Sequence, residues 1–295
     1  MKKNGYLCKL KIEFWLNMDI NKVLFISQQI APYVEDNQMS TTSSDLAQGV
    51  KEKGIEVRTF MPKYGAINER RNQVHEVKRL SGINLIIDDT DHPLIIKVST
   101  LQPSRMSVYF IYNDDYFNKV VTKDLETESD LEQNDERSIF FVRGALETVK
   151  VLRWMPDVVV CSGWVSALAP LYIKKRYSDD PSFRDTKVVY ALYDNEPLEP
   201  LGEGLWKKLK FDRFSDKALK PLLNKRADIK VLTQLALNHC DAVVQCSPNI
   251  RPELMEMVEQ SGLPFLPYDA SIEGDSQALV ERNLEFYRSL DAPAE

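Results

Sequence analysis

Glycine is scarce in this chain, at 11 of 295 residues, and no GxGxxG run occurs anywhere. That argues against a dinucleotide-binding turn, which needs glycines so that backbone amides can approach a pyrophosphate. No apolar stretch approaches the roughly 20 residues that a membrane-spanning helix requires. Positive charge is also in deficit. The formal net charge of -6 argues against nucleic acid or an anionic membrane as the main partner. The four cysteines, Cys8, Cys161, Cys240 and Cys246, form no CxxC pair and no zinc spacing, and three of them lie in or next to apolar segments. They read as reduced structural thiols of a cytoplasmic protein. No Ser/His/Asp arrangement is present, so Ser162 is not read as a nucleophile. Neither a metal nor an organic cofactor is expected, and no residue is assigned to catalysis.

What remains is ordinary globular material, 43% hydrophobic and 28% charged, sufficient for one large domain. Residues 1–17 stand apart, with four lysines against Glu13, which interrupts what would be a signal peptide's apolar core. The functional chain is expected to begin at Met18, with 1–17 as a tail or an upstream start. Beyond it, short apolar runs alternate with helical patterns, the signature of βαβ units and a largely parallel sheet. Strands are predicted at Val23–Ser27, Ile55–Phe60, Val108–Tyr112, Val158–Cys161, Lys187–Leu192 and Ala242–Cys246. Helices are predicted at Met39–Lys53, from Asn134 through Leu152, and at Trp164–Lys175, Ile229–His239 and Pro248–Gln260.

Leu85–Ile87 and Leu94–Val98 flank Asp88-Asp89-Thr90-Asp91-His92-Pro93, which reads as a hairpin turn in preference to a metal cluster. His239 shares a helical face with Leu232, Leu235 and Ala236 and reads as a semi-buried helix-end histidine, and His75 as a surface residue. The resulting fold class is α/β. One doubly wound, mostly parallel Rossmann-like sheet with an inserted β-hairpin spans 18–262. A tail helix in 263–295 carries Leu279, Asn283, Phe286 and Leu290 at helical spacing.

In such a sheet ligands sit beyond the carboxyl ends of the strands, here near 28–38, 61–65, 113–117, 161–166, 193–197 and 247–250. The first of these loops holds Glu35 and Asp36 and no glycine, where a phosphate-handling loop carries glycines and a lysine. Ser162, Trp164, Asp194 and Asn195 are the candidates for lining a substrate cleft, by position alone. Trp164 fits two roles equally, stacking on a sugar ring or packing in the strand-to-helix corner. Lys207-Lys208-Leu209-Lys210, with Lys217, Lys220, Lys225 and Arg226, is read as a solvated face, with an acidic partner protein as the alternative.

Several blocks in order carry a family likeness. They are Pro62-Lys63-Tyr64-Gly65, Tyr112-Asn113-Asp114-Asp115-Tyr116-Phe117, Asn134-Asp135-Glu136-Arg137-Ser138-Ile139-Phe140-Phe141, Ser162-Gly163-Trp164 after Asp157–Cys161, and Asp241–Pro248. Together they resemble the N-terminal, starch synthase catalytic-type domain of bacterial glycogen and starch synthases. The resemblance implies the N-terminal half of a GT-B glycosyltransferase, acting in α-glucan synthesis from ADP-glucose, with α-glucan and ADP-glucose as ligands.

It also marks departures. The family's Lys-x-Gly-Gly-Leu loop falls on Glu35-Asp36-Asn37-Gln38-Met39, and its His-Asp-Trp-His on Ser162-Gly163-Trp164-Val165. Its Val-His-Asn falls near Ala191–Asn195, where no histidine stands. The family's donor domain is expected to begin about where this chain ends. The expectation is therefore a synthase-like chain weak or inactive alone, or a non-catalytic glucan-binding or regulatory partner. A protein partner would then cover the face normally covered by the second domain, unless the tail helix folds back over it.

Overall fold

The computed structural model describes residues 19–118, 133–197 and 199–291. The tail at 1–17 with Cys8, and the expected start at Met18, lie outside them. In chain order the elements are β1 (Lys22–Ser27), α1 (Gln38–Glu52), β2 (Glu56–Pro62), β3 (His75–Glu76), β4 (Ile83–Ile87), β5 (Thr90–Leu101) and β6 (Met106–Tyr112). A single turn, α2 (Asp114–Phe117), and the long α3 (Asn134–Val151) lead to β7 (Val158–Ser162). Next come the short α4 (Ala169–Leu171), β8 (Lys187–Leu192), α5 (Leu205–Phe211), α6 (Asp216–Leu219), α7 (Ile229–Leu237) and β9 (Ala242–Gln245). The chain continues through α8 (Pro252–Ser261) and β10 (Phe265–Leu266) to α9 (Ser276–Arg288).

The sheet runs β10-β9-β8-β7-β1-β2-β6-β5-β3, with β4 paired to β5. Every pairing from β10 through β6 is parallel, and β5 pairs antiparallel with β6, β4 and β3. This is the mostly parallel sheet with an inserted hairpin that the alternating pattern predicts. The hairpin turns through Asp88-Asp89, with Ile87 opposite Thr90 and Asp88 at φ 57°. Strands such as Val158–Ser162 are buried along their whole length because helices cover both faces of a parallel sheet. Burying each such Val or Ile side chain contributes about 1.5–3 kcal/mol.

Three predicted elements differ. Trp164–Lys175 is no single helix: it divides into a 3-10 turn at Trp164–Ser166, α4, and a π turn at Tyr172–Arg176. Pro170, in the middle of that run, has no N–H to donate to the preceding turn, so the winding changes around it. The helix predicted from Pro248 begins instead at Pro252, where the missing N–H costs no hydrogen bond. The sheet also extends past residue 262, since Phe265 and Leu266 pair with Val243 and Val244.

α1 is unusually polar, yet it buries Ser40, Ser43, Ser44, Leu46, Ala47 and Val50 against the sheet and its neighbours. α9 folds back onto α1, seating Val280 over Gly49 and burying Leu284 and Tyr287. Leu279, Phe286 and Leu290, placed on the tail helix by their spacing, pack partly buried against the same core, and Asn283 is buried there.

Candidate functional site

Strand order reverses between β1 and β7, so a doubly wound sheet opens its crevice beyond Ser27 and Ser162. Here protein fills that crevice. The Gln28 amide donates to Ser162 O at 3.0 Å, and the Gln28 carbonyl accepts from Tyr64 Oη at 2.9 Å. The Gln28 side chain lies against Gly163, where an added Cβ would stand 2.7 Å from Gln28 Cβ. Gly163 also has φ +85°, so two constraints demand glycine there. Behind it Trp164 is fully buried, and its indole nitrogen has no hydrogen-bond partner among the described residues. The Gln28 side-chain Nε2 and Ser27 Oγ are likewise buried without partners among the described residues.

The open space lies one step to the side, over the ends of β8 and β9. A cavity of about 300 Å³ is lined by Gln29, Asn37, Gln38, Asp194, Asn195 and Ser247, with Tyr193 and Met39. Asn37 caps α1: its Oδ1 accepts from the Ser40 amide at 3.0 Å, and Ser40 Oγ accepts from the Asn37 amide at 2.9 Å. Asn37 Nδ2 donates to Gln29 Oε1 at 2.6 Å, and Ser247 Oγ donates to Gln38 Oε1 at 2.8 Å. Two amides at the start of α1, those of Asn37 and Ser40, are therefore held by its own side chains and not offered to an anion. Among the described residues no lysine or arginine lines this cavity, and Asp194 is the one charged residue that does.

Of the residues picked from sequence, Asp194 and Asn195 line the cavity, Asp194 exposed and Asn195 half-buried. Ser162 and Trp164 are buried behind it. The link between the pairs is the Trp164 amide, which donates to Asn195 Oδ1 at 3.4 Å. With no exposed ring face, Trp164 takes the packing role of the two left open. Gln29 was not singled out in sequence. Its signal is a second consecutive amide side chain directly after an apolar strand, a polar pair with no place in a plain βα turn.

The blocks that carry the family likeness hold one another. Gly65 sits where a Cβ would be 1.8 Å from Asn118 O, so Pro62-Lys63-Tyr64-Gly65 is shaped by close backbone approach. Asn113 caps α2, and Arg137 Nε donates to Tyr116 O at 2.8 Å while its Nη1 donates to Asn134 Oδ1 at 2.9 Å. Ser138 Oγ donates to Val165 O at 2.8 Å, fastening α3 to the turn after β7. Asp135, fully buried, and Glu136 share Lys208 at 2.6 and 2.8 Å. Burial raises the Asp135 carboxyl above its usual range, only partly offset by Lys208. At Glu136 burial pushes upward too, but Lys208 and Tyr116 outweigh it and the carboxyl lies low. Lys63 is pulled below the usual lysine range by burial, against the opposing pull of Glu69 at 3.3 Å.

The basic run is largely paired within the chain. Lys207 meets Asp88, Lys208 meets Asp135, and Lys210 meets Asp216. His239 is buried at the end of α7, with Nδ1 2.9 Å from Leu235 O. Among the described residues no group of three or more His, Cys, Asp or Glu could hold a metal ion. No described helix is long and apolar enough to cross a membrane.

Residues 22–264 match the family described as starch synthase catalytic domain. Glycogen synthase of Chlorobium phaeovibrioides is 31% identical over 267 residues, covering 90% of this chain and 51% of that protein. Glycogen synthase of Chlorobium limicola is 37% identical over 174 residues, covering 59% of this chain and 36% of that protein. The catalytic domain of starch synthase IV from Arabidopsis thaliana, solved bound to ADP and acarbose, superposes with a TM-score of 0.67 at 16% identity. That match covers 85% of this chain and 51% of the other. The chain thus spans about half the length, or less, of the relatives it matches.

Proposed function

The chain belongs to the starch synthase catalytic-domain family, and from that premise we propose that it binds an α-glucan and does not by itself transfer glucose from ADP-glucose. The supporting observation is the start of α1. There the Ser40 and Asn37 amides are taken by a capping box, and Glu35 and Asp36 precede it in place of a lysine. Opposed charge at this loop repels a diphosphate by as much as a lysine would attract it. Without a held donor, the positioning that supplies much of a transferase's rate is missing. The glucan side of the reading rests on the relatives, which are glycogen synthases. Ser162, Trp164, Asp194 and Asn195 mark the cleft in this proposal, Asp194 and Asn195 as its wall and Ser162 and Trp164 as its backing. The setting is the cytoplasm, in keeping with free cysteines at Cys161, Cys240 and Cys246.

The test is transfer of labelled glucose from ADP-glucose to glycogen by the purified chain, with a two-domain glycogen synthase as the positive control. Glycogen co-sedimentation is measured on the same preparation. Binding without transfer is the expected result. Transfer above background would assign the chain to the glucosyltransferases outright, and absence of both would remove the glucan reading.

A further inference from the structure

We propose that the cleft continues into a second cavity and that the two form one groove selective for a neutral oligosaccharide chain over any nucleoside diphosphate. This rests on the glucan reading above and adds where the chain lies and what it excludes. The second cavity, about 570 Å³, lies between α1, the ends of β9 and β10, and the segment leading into α9. Asn37 and Gln38 line both cavities, so the two adjoin at the start of α1, where the Ser247–Gln38 hydrogen bond crosses between them. Both volumes fall in the range typical of ligand pockets, roughly 300–1,000 Å³.

The two parts differ in chemistry in a way that suits a sugar chain. The smaller is lined by four carboxamides, Gln29, Asn37, Gln38 and Asn195, with one carboxylate and one hydroxyl, Asp194 and Ser247. Carboxamides and carboxylates read hydroxyl groups, because each offers donors or acceptors in a fixed plane. The side-chain nitrogens of Gln29 and Gln38 make no hydrogen bond to any described residue. They remain available as donors. The larger part offers Leu46, Val244, Leu266, Ile272 and Tyr268 as apolar surface, on which the C–H faces of pyranose rings can lie.

Charge argues the same way. Among the described residues the larger cavity is lined by Asp45, Asp269, Glu273 and Asp275 against a single cation, Arg282. Arg282 is already engaged, donating to Pro267 O at 2.9 Å and lying 3.6 Å from Asp269. A diphosphate entering from either side meets carboxylates and no unengaged cation, whereas a neutral chain meets neither attraction nor repulsion.

Calorimetric titration of the chain with maltohexaose and, separately, with ADP tests this. Tyr268→Ala removes the aromatic surface, and Thr42→Arg places a long side chain in the larger cavity, with melting curves confirming that both variants fold. Maltohexaose is expected to bind wild type, to weaken about tenfold in each variant, and ADP to give no heat. If maltohexaose binds all three chains equally, the groove is wrong and the glucan reading stands. If neither maltohexaose nor glycogen binds wild type, both fall. If ADP binds and competes with maltohexaose, the selectivity is overturned.

Discussion

Val280 of α9 occupies a notch that exists only because residue 49 of α1 is glycine. An added Cβ at Gly49 would stand 2.4 Å from Val280 Cγ2. The two helices are thus joined at a point where one methyl group decides the fit, and the valine cannot swing aside because its χ1 is stiff.

Gly49→Ala therefore has opposite signs in two backgrounds. Alanine in a helix interior gains about 1 kcal/mol over glycine, but overpacking of this kind costs about 1–3 kcal/mol. In wild type the substitution is expected to lower stability in urea unfolding. In a Val280→Ala background it is expected to raise it by about 1 kcal/mol. Equal stabilisation in both backgrounds would mean that the helices do not meet here.

The cap on α1 gives a graded series. Asn37→Ala is expected to cost about 1 kcal/mol, whereas Asn37→Gly costs only a few tenths because glycine is itself an acceptable cap. The triple change Glu35→Lys, Asn37→Gly and Gln38→Gly removes the cap and brings the loop, with Asp36 kept, from two negative charges to no net charge. ADP titration is expected to show measurable binding in that variant and none in wild type. Silence in both would mean that something other than this loop keeps ADP out.

Asp212 is buried and ion-paired with buried Arg143 at 3.0 Å, while Tyr172 Oη donates to its other oxygen. Asp212→Ala strands a buried guanidinium and is expected to cost about 3–5 kcal/mol. Tyr172→Phe, which leaves the ion pair intact, is expected to cost about 1–3 kcal/mol, the range for a buried acceptor left one bond short. Denaturant melts of the two variants separate these values, and an Asp212→Ala chain as stable as wild type would show the pair to be exposed in solution.

Burial at the end of α7 lowers the His239 imidazole below its ordinary value of 6.5, with nearby Lys175 pushing the same way. The folded state favours the neutral ring, so the unfolded chain binds the proton more readily. The stability His239 contributes is complete above pH 6.5 and is lost as pH falls through the lower folded-state value. Melting temperature recorded from pH 8 downward is expected to fall more steeply in wild type than in His239→Gln. Identical slopes would place the ring in solvent.

The sheet was legible because burial on both faces writes its strands as unbroken apolar runs, and Val158–Ser162 could be read almost to the residue. The hairpin was legible for a different reason, since Asp88-Asp89 between two apolar stretches leaves little but a turn. The run after β7 was not. Its apolar spacing is helical, but the Pro170 ring and the positive φ of Gly163 act locally and break the winding into three pieces. β10 was missed because two residues, Phe265 and Leu266, are too few to show a period. At the cleft, position at a strand end located Asp194 and Asn195. It could not tell that Gln28 would fill the crevice and leave Trp164 walled in, because that depends on one side chain lying across a glycine far along the chain.

The seat of α9 on α1 has a consequence for synthesis on the ribosome. Glu52 ends α1 and Ser276 begins α9, an interval of roughly 10–45 s at about 5–20 residues per second. Through all of that time the notch at Gly49 is without the valine that fills it. The contact between the two helices therefore closes only when nearly the whole chain has been made.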